Sequence, residues 1–315
     1  MKAKTSVFSW EKIEMIEIIK SNTKYNFVSK FGVTTIISSI LVLISLYAIF
    51  FKLTYGVDFK GGAEIQAKFN QRVTLNTLRK SLKSYGHKGA SVQTIGEADQ
   101  NEVLIKVAGT EANLNEITQK VSDSLKKDFK TQGIQIRKVD IVGPKAGAAL
   151  RVSGFQSMLW ALLAIMLYIG LRFDFKYSPG AIIALFHDVS IILGLFAFSG
   201  IDFTLQTVAA LLAVIGYSVN DTVIVYDRVR EHEQKDKQLP LSSHINTAIN
   251  ETLSRTILTS GTTLFISLTM YFMGGLAIKD FFLCISLGVI IGTYSSIFIA
   301  APVTLGMQKI LGDTN

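Results

Sequence analysis

The 315-residue chain contains one cysteine, Cys284, inside an apolar run. A single thiol excludes an internal disulfide and any cysteine-built metal cluster, which leaves a small packing residue. No metal or other cofactor is expected. A phosphate-binding glycine loop is also missing, which argues against direct use of a nucleotide. No small-residue cleavage site follows the first apolar run, so a removable signal peptide is not expected. Charge is sparse at 18% of residues, and mean hydropathy is +0.37 over several separate runs, which excludes a soluble globular domain. The formal net charge is +8, but the basic residues are spread among loops and tails. That pattern fits membrane lipids and the positive-inside bias, not a nucleic acid partner.

Six apolar runs are present, at 33–51, 155–171, 180–199, 204–226, 256–273 and 281–305. The first is nineteen residues without a charge, long enough for one membrane helix. Six lysines precede it, with Lys24 and Lys30 nearest, and place the N-terminus in the cytosol. FSWEKIEMIEII in that segment reads as a short surface-lying amphipathic helix. The loop 172–178 carries Arg172 and Lys176; the loop 227–255 carries Arg228, Arg230, Lys235, Lys237 and Arg255. The opposite turns have almost no basic excess, so both termini are expected inside. Pro240 divides the long loop, RVREHEQKDK extends the fourth span, and Ser242 or Ser243 is the expected cap of the next helix.

Residues 54–150 differ: they are polar and alternate strand and helix signals. AEIQAKF, ASVQTI, EVLIKV and IQIRKVDIV read as strands. Leu75, Leu78 and Leu82, then Leu114, Ile117, Val121, Leu125 and Phe129, fall at helical spacing. The order β-α-β-β-α-β predicts a ferredoxin-like α+β domain on the outer side of the membrane. His87, in SYGHKG, is expected to be solvated. The organisation is therefore 1–31 cytosolic, 32–53 first span, 54–150 outer domain, 151–306 five further spans with the cytosolic loop 227–255, and 307–315 cytosolic tail.

Asp221 is the anomaly. An acid at the centre of a membrane helix costs at least about 2.5–3.5 kcal/mol on insertion scales, so it demands a function. A helical rise puts it about 10 Å, and Asp188 about 13 Å, from the cytosolic surface. Arg255 opens the fifth span, where it can reach inward. Desolvation drives a carboxylate toward its neutral form and a nearby guanidinium restores the charged one, so such a group can load and release a proton. The competing view is a static tie between helices. Tyr217, Ser218, Asp221 and Val225 share a face. Thr256, Ser260, Thr263 and Ser267 make one polar stripe; Gly288, Gly292 and Ser296 make a small-residue stripe suited to close packing. His187 points about 100° from Asp188 and serves either as a second titrating group or in packing.

GVDFKGG (56–62), ALFHDV (184–189), IGYSVNDTVIVYDRVRE (215–231), NETLSRTILTSGTTL (250–264) and GGLAIKDF (274–281) occur in this order. Together they resemble the SecF family of protein-export membrane proteins, in the resistance-nodulation-division superfamily. The resemblance covers nearly the whole chain. It implies a six-span half with a periplasmic domain after the first span, in the bacterial cytoplasmic membrane. It implies SecD as heterodimeric partner, and SecYEG with SecA, YajC, YidC and the translocating preprotein as associates. It implies a proton-motive-force-driven step in export, with Asp221 and Arg255 on the proton path. Asp188 and Asn220 are added to that path here. Asp58, Gly61, Gly62, Gly216, Gly288 and Gly292 are assigned to structure.

Two other readings are open at this stage. A half-size small-molecule or lipid exporter of the same superfamily would need a substrate pocket, for which 97 outer residues leave little room. An intramembrane aspartyl protease would pair Asp188 with Asp221, but 216–221 reads GYSVND and lacks the expected GxGD. The chain is therefore not expected to be an enzyme.

Overall fold

The computed structural model describes residues 23–87, 90–95, 101–108, 113–173 and 176–311. The expected amphipathic helix in the N-terminal segment lies outside these residues. Among the described residues, six helices are long and apolar enough to cross a membrane. They are built from α1 (Phe31–Lys52), α5 (Pro144–Arg172), α6 (Ser178–Ser199), α7 (Leu205–Lys235), α8 (Leu241–Met273) and α9 (Leu276–Ser295). α9 passes through a π-turn, Ser296–Ala300, into α10 (Ala301–Leu311).

α5 starts at Pro144, with proline at the first helical turn where its missing N–H costs nothing. The helix therefore takes in 144–150, which the sequence pattern gave to the outer domain. α7 continues through the charged RVREHEQK as one helix to Lys235. α8 starts at Leu241 behind Pro240, without a side-chain cap from Ser242 or Ser243.

Between α1 and α5 lie a single-turn α2 (Val57–Lys60), then β1 (Gly62–Phe69), α3 (Leu75–Ser84), β2 (Ser91–Ile95), β3 (Glu102–Val107), α4 (Leu114–Asp128) and β4 (Ile134–Val142). The strands form one sheet in the order β2-β3-β1-β4, with every neighbouring pair antiparallel. This order and direction are what two split β-α-β crossovers generate. Alternation aims Ile65, Ala67, Phe69, Val103, Ile105 and Val107 at one face, where Leu78 and Leu82 of α3 and Val121 and Leu125 of α4 cover them. Half-buried His87, expected in solvent, has its Nε2 shut away from it, and burial lowers its pKa.

The other face of the sheet is polar and turns to the bundle. Glu64, Gln66, Lys138 and Asp140 line a cavity of about 770 Å³ whose floor includes Thr204, Leu205 and Asp280. Room for a small molecule therefore lies beneath the outer unit, where the sequence pattern suggested little. Lys106 forms an ion pair with Asp202 in the turn between α6 and α7. Burial at this junction pushes the Glu64 carboxyl up and the Lys106 ammonium down.

The segment GVDFKGG joins the two units. Gly56 N donates to Phe203 O at 2.9 Å, and Phe203 N donates to Thr54 O at 2.7 Å. Asp58 Oδ2 accepts from the Leu205 amide at 3.0 Å, and Thr204 with Thr207 completes a capping box on α7. These bonds satisfy amides that the start of a helix leaves free. Gly61 has φ +75° and Gly62 φ +136°, and a Cβ on Gly61 would stand 2.6 Å from Pro144 Cα. Only glycine adopts such angles without strain and lets α5 start this close.

Candidate functional site

α6, α7 and α9 meet along small residues. A Cβ on Gly288 of α9 would collide with the Val214 side chain of α7. One on Gly292 would stand 3.0 Å from Ser218 Cβ. This close approach brings two serines onto Asp188 of α6. Ser218 Oγ donates to Asp188 Oδ2 at 2.6 Å, and Ser295 Oγ donates to the same oxygen at 2.8 Å. Oδ1 lies 2.9 Å from His187 Nδ1. Asp188 is 1% exposed, and its carboxylate is thus fully engaged.

His187 does not point away from its neighbour, as helical geometry alone suggested. Its ring turns back onto the Asp188 carboxylate and stacks on Tyr294 with centroids 6.0 Å apart. Tyr294 Oη in turn shares a hydrogen bond of 2.9 Å with Ser38 of α1. Ser295 was not singled out from the sequence. Its signal was its place three residues beyond Gly292, on the small-residue stripe credited to Ser296.

Asp221 of α7 is equally buried at 1% exposure, yet among the described residues neither carboxylate oxygen has a hydrogen-bond partner. Ser260 of α8 lies beside it, but its hydroxyl already shares a 2.7 Å bond with Thr293 and accepts from Tyr217 at 3.1 Å. Arg255 is the charged residue whose field reaches Asp221, yet the pair is not within ion-pair distance. The guanidinium instead lines an exposed cleft with Asp227 and Arg228. The structure therefore places Asp188, Asp221 and Arg255 in the interiors of α6, α7 and α8 without joining them. The two acids share no hydrogen bond, so no dyad exists in this arrangement.

Asn220 points the other way. With Ala209, Ala213 and Gly216 it forms an exposed stripe of small residues along α7. A Cβ on Gly216 would meet nothing within 4 Å. An exposed amide at mid-span is costly in lipid, and a small-residue stripe is the surface on which membrane helices pack. Among the described residues no group of three metal-ligating side chains occurs.

Six spanning helices, an intramembrane acid and a small α+β unit on one end define a polytopic membrane protein. Its sequence matches the family described as "Protein export membrane protein SecD/SecF, C-terminal" over residues 120–310, and "SecD/SecF GG Motif" over 48–71. The protein translocase subunit SecF of Desulfurispirillum indicum is 41% identical over 273 residues, covering 84% of this chain and 86% of that protein. That of Rickettsia rickettsii is 39% identical over 290 residues, covering 91% and 93%. The crystal structure of SecDF, a translocon-associated membrane protein from Thermus thermophilus, superposes with a TM-score of 0.84 at 31% identity. The match covers 93% of this chain but 40% of that longer one. The chain belongs to the SecD/SecF family of protein-export membrane proteins, on the SecF side. None of these matches is to an enzyme family, and the six apolar helices make it a multi-pass membrane protein.

Proposed function

We propose that the chain is the SecF half of a SecD/SecF unit of the bacterial cytoplasmic membrane, which uses the proton motive force to promote preprotein translocation. One observation carries the mechanism. Of two equally buried acids, Asp188 is hydrogen-bonded by its neighbours and, among the described residues, Asp221 is not. A buried carboxylate without donors is costly as an anion, so Asp221 is the one that gains and loses a proton. When charged it draws the Arg255 guanidinium toward it; when neutral it releases it. α7 and α8 shift relative to each other, and α7 carries the movement to the sheet, because Asp58, just before β1, caps its N-terminal end and Lys106 of β3 pairs with Asp202 in the turn that precedes it.

Pairing with SecD is supported by the exposed stripe through Gly216 and Asn220, and by a SecDF chain of which this one spans 40%. The orientation follows from charge: Arg172, Lys176, Arg228, Arg230 and Lys235 lie at the end away from the sheet, which makes that end cytosolic and the sheet periplasmic. SecYEG with SecA, YajC and YidC are the expected associates at that membrane.

The test is Asp221→Asn, expressed at the normal level and still co-purifying with SecD. Proton-dependent stimulation of secretion should be abolished. Unchanged export and proton flux would make Asp221 structural.

A further inference from the structure

At the cytosolic end of α5, α7 and α8 lies a cleft of about 360 Å³. Three arginines line it, Arg172, Arg228 and Arg255, against two acids, Asp227 and Glu231. Arg228 is held by Glu231 and by Glu251 of α8. Arg172 approaches Asp227 at 3.6 Å, a loose pair with both side chains half exposed or more. Among the described residues Arg255 has no carboxylate within ion-pair distance, and the acid whose field it feels, Asp221, lies on the buried side of α7. The cleft thus has one guanidinium to spare. Its depth is that of the membrane boundary: from Leu205 to Tyr226 α7 carries the single charge Asp221, and from Asp227 onward it is densely charged. Tyr168 also lines the cleft, at the level where tyrosine anchors helices to the interface. Leu167, Leu171 and Leu258, each at least 60% exposed, continue from it into the apolar belt.

We infer that this cleft binds the phosphate of an anionic phospholipid, with Arg255 as its main ligand and Arg172 as the second. A planar guanidinium suits a phosphate through paired N–H donors, and a cationic pocket between helices on the cytosolic side is suited to anionic headgroups. The exposed leucines hold the acyl chains, which a free phosphate would leave uncovered. The inference does not require Asp221 to carry protons, and its readout is separate from secretion.

Native mass spectrometry of the full chain in a nonionic detergent tests it, with phosphatidylglycerol, phosphatidylcholine and inorganic phosphate as probes. Phosphatidylglycerol should stay bound at activation energies that strip phosphatidylcholine. Arg255→Gln should weaken that retention about tenfold, as loss of one charge-assisted contact implies. Arg172→Gln should weaken it less, and keeps the test valid if Arg255→Gln misfolds. Lys279→Gln, at the opposite end, should change nothing. Equal retention of phosphatidylcholine, retention indifferent to both arginines, or displacement by inorganic phosphate would each overturn the inference. So would loss of the bound lipid when SecD is added, because the cleft would then be a protein interface.

Discussion

Three glycines on the central helices should respond to the same substitution in three different ways. In a helix interior alanine is better than glycine by about 1 kcal/mol. Against that stands whatever the new methyl group strikes. At Gly288 it strikes the side chain of Val214, which is buried and, being β-branched, cannot rotate away cheaply. Overpacking of this kind costs about 1–3 kcal/mol, so Gly288→Ala should destabilise the chain by up to about 2 kcal/mol. At Gly292 the neighbour is Ser218 Cβ at 3.0 Å, which can give by a few tenths of an ångström. Stability should barely change there, but the Ser218 hydroxyl is pushed off Asp188. At Gly216 nothing lies within 4 Å, so alanine should stabilise the isolated chain by about 1 kcal/mol. If that face packs on SecD, the same change should weaken pairing. Thermal unfolding of the detergent-solubilised chain reads the first quantity, and co-purification with SecD reads the second. A Gly288→Ala protein as stable as the parent would refute the packing argument. A Gly216→Ala protein with undiminished SecD pairing would refute the assignment of that stripe.

Other consequences follow from contacts outside the centre. Asp58→Ala removes an N-terminal cap from α7 and should cost about 0.5–2 kcal/mol in thermal unfolding, with Asp58→Asn recovering part of it. Asn250 accepts from the Tyr25 amide and donates to the Tyr25 carbonyl, both at 2.8 Å, and thereby ties the segment before α1 to α8. Asn250→Ala should free that segment, read as faster hydrogen exchange at residues 25–28. Asp128 accepts from Ser81 at 2.6 Å and from Tyr85 at 2.9 Å, and these hydroxyls hold its carboxyl below the usual range. A depressed folded value means stability that is full above the unfolded value and lost as pH falls through the folded one. Asp128→Asn should therefore flatten the acid limb of an unfolding curve below about pH 4 and leave the neutral region's slope alone.

Much of the architecture was legible in the residues because it rests on local periodicity. Runs such as VTTIISSILVLISLYAIFF have one physical solution in a bilayer, and the alternation in AEIQAKF and EVLIKV has one in a sheet. The boundaries were less legible. Pro144 can end a domain or start a helix, and the choice is made by the packing of α5 on Gly61, far from any local signal. In the centre, residue types pointed to Asp188, Asp221 and Arg255 but not to who touches whom. The angle between successive helical residues placed His187 away from Asp188; side-chain rotation overrides it, because an imidazole is long enough to turn back. Whether Asp221 and Arg255 form a close pair was illegible for a related reason. Its formation depends on the tilt of α8 against α7, which no spacing along one helix encodes.

That missing pair sharpens the mechanism. Two acids in one lipid-buried bundle have different surroundings: Asp188 receives two serine hydroxyls and faces an imidazole, and among the described residues Asp221 has Ser260 and Arg255 nearby but no partner within hydrogen-bond distance. A group clamped by several partners gives up several hydrogen bonds if it moves. A group without donors has nothing to lose. Asp188 is then the fixed point that sets the distance between α6, α7 and α9, and Asp221 is the point that changes. The test of that division of labour is Asp188→Asn. It should keep proton coupling while lowering thermal stability, since the amide retains size but replaces one of the two oxygens that meet Ser218, Ser295 and His187 with a donor. Asp221→Asn should do the reverse, holding stability and losing coupling. If both substitutions abolish coupling with stability unchanged, the two acids work as one relay and the division fails.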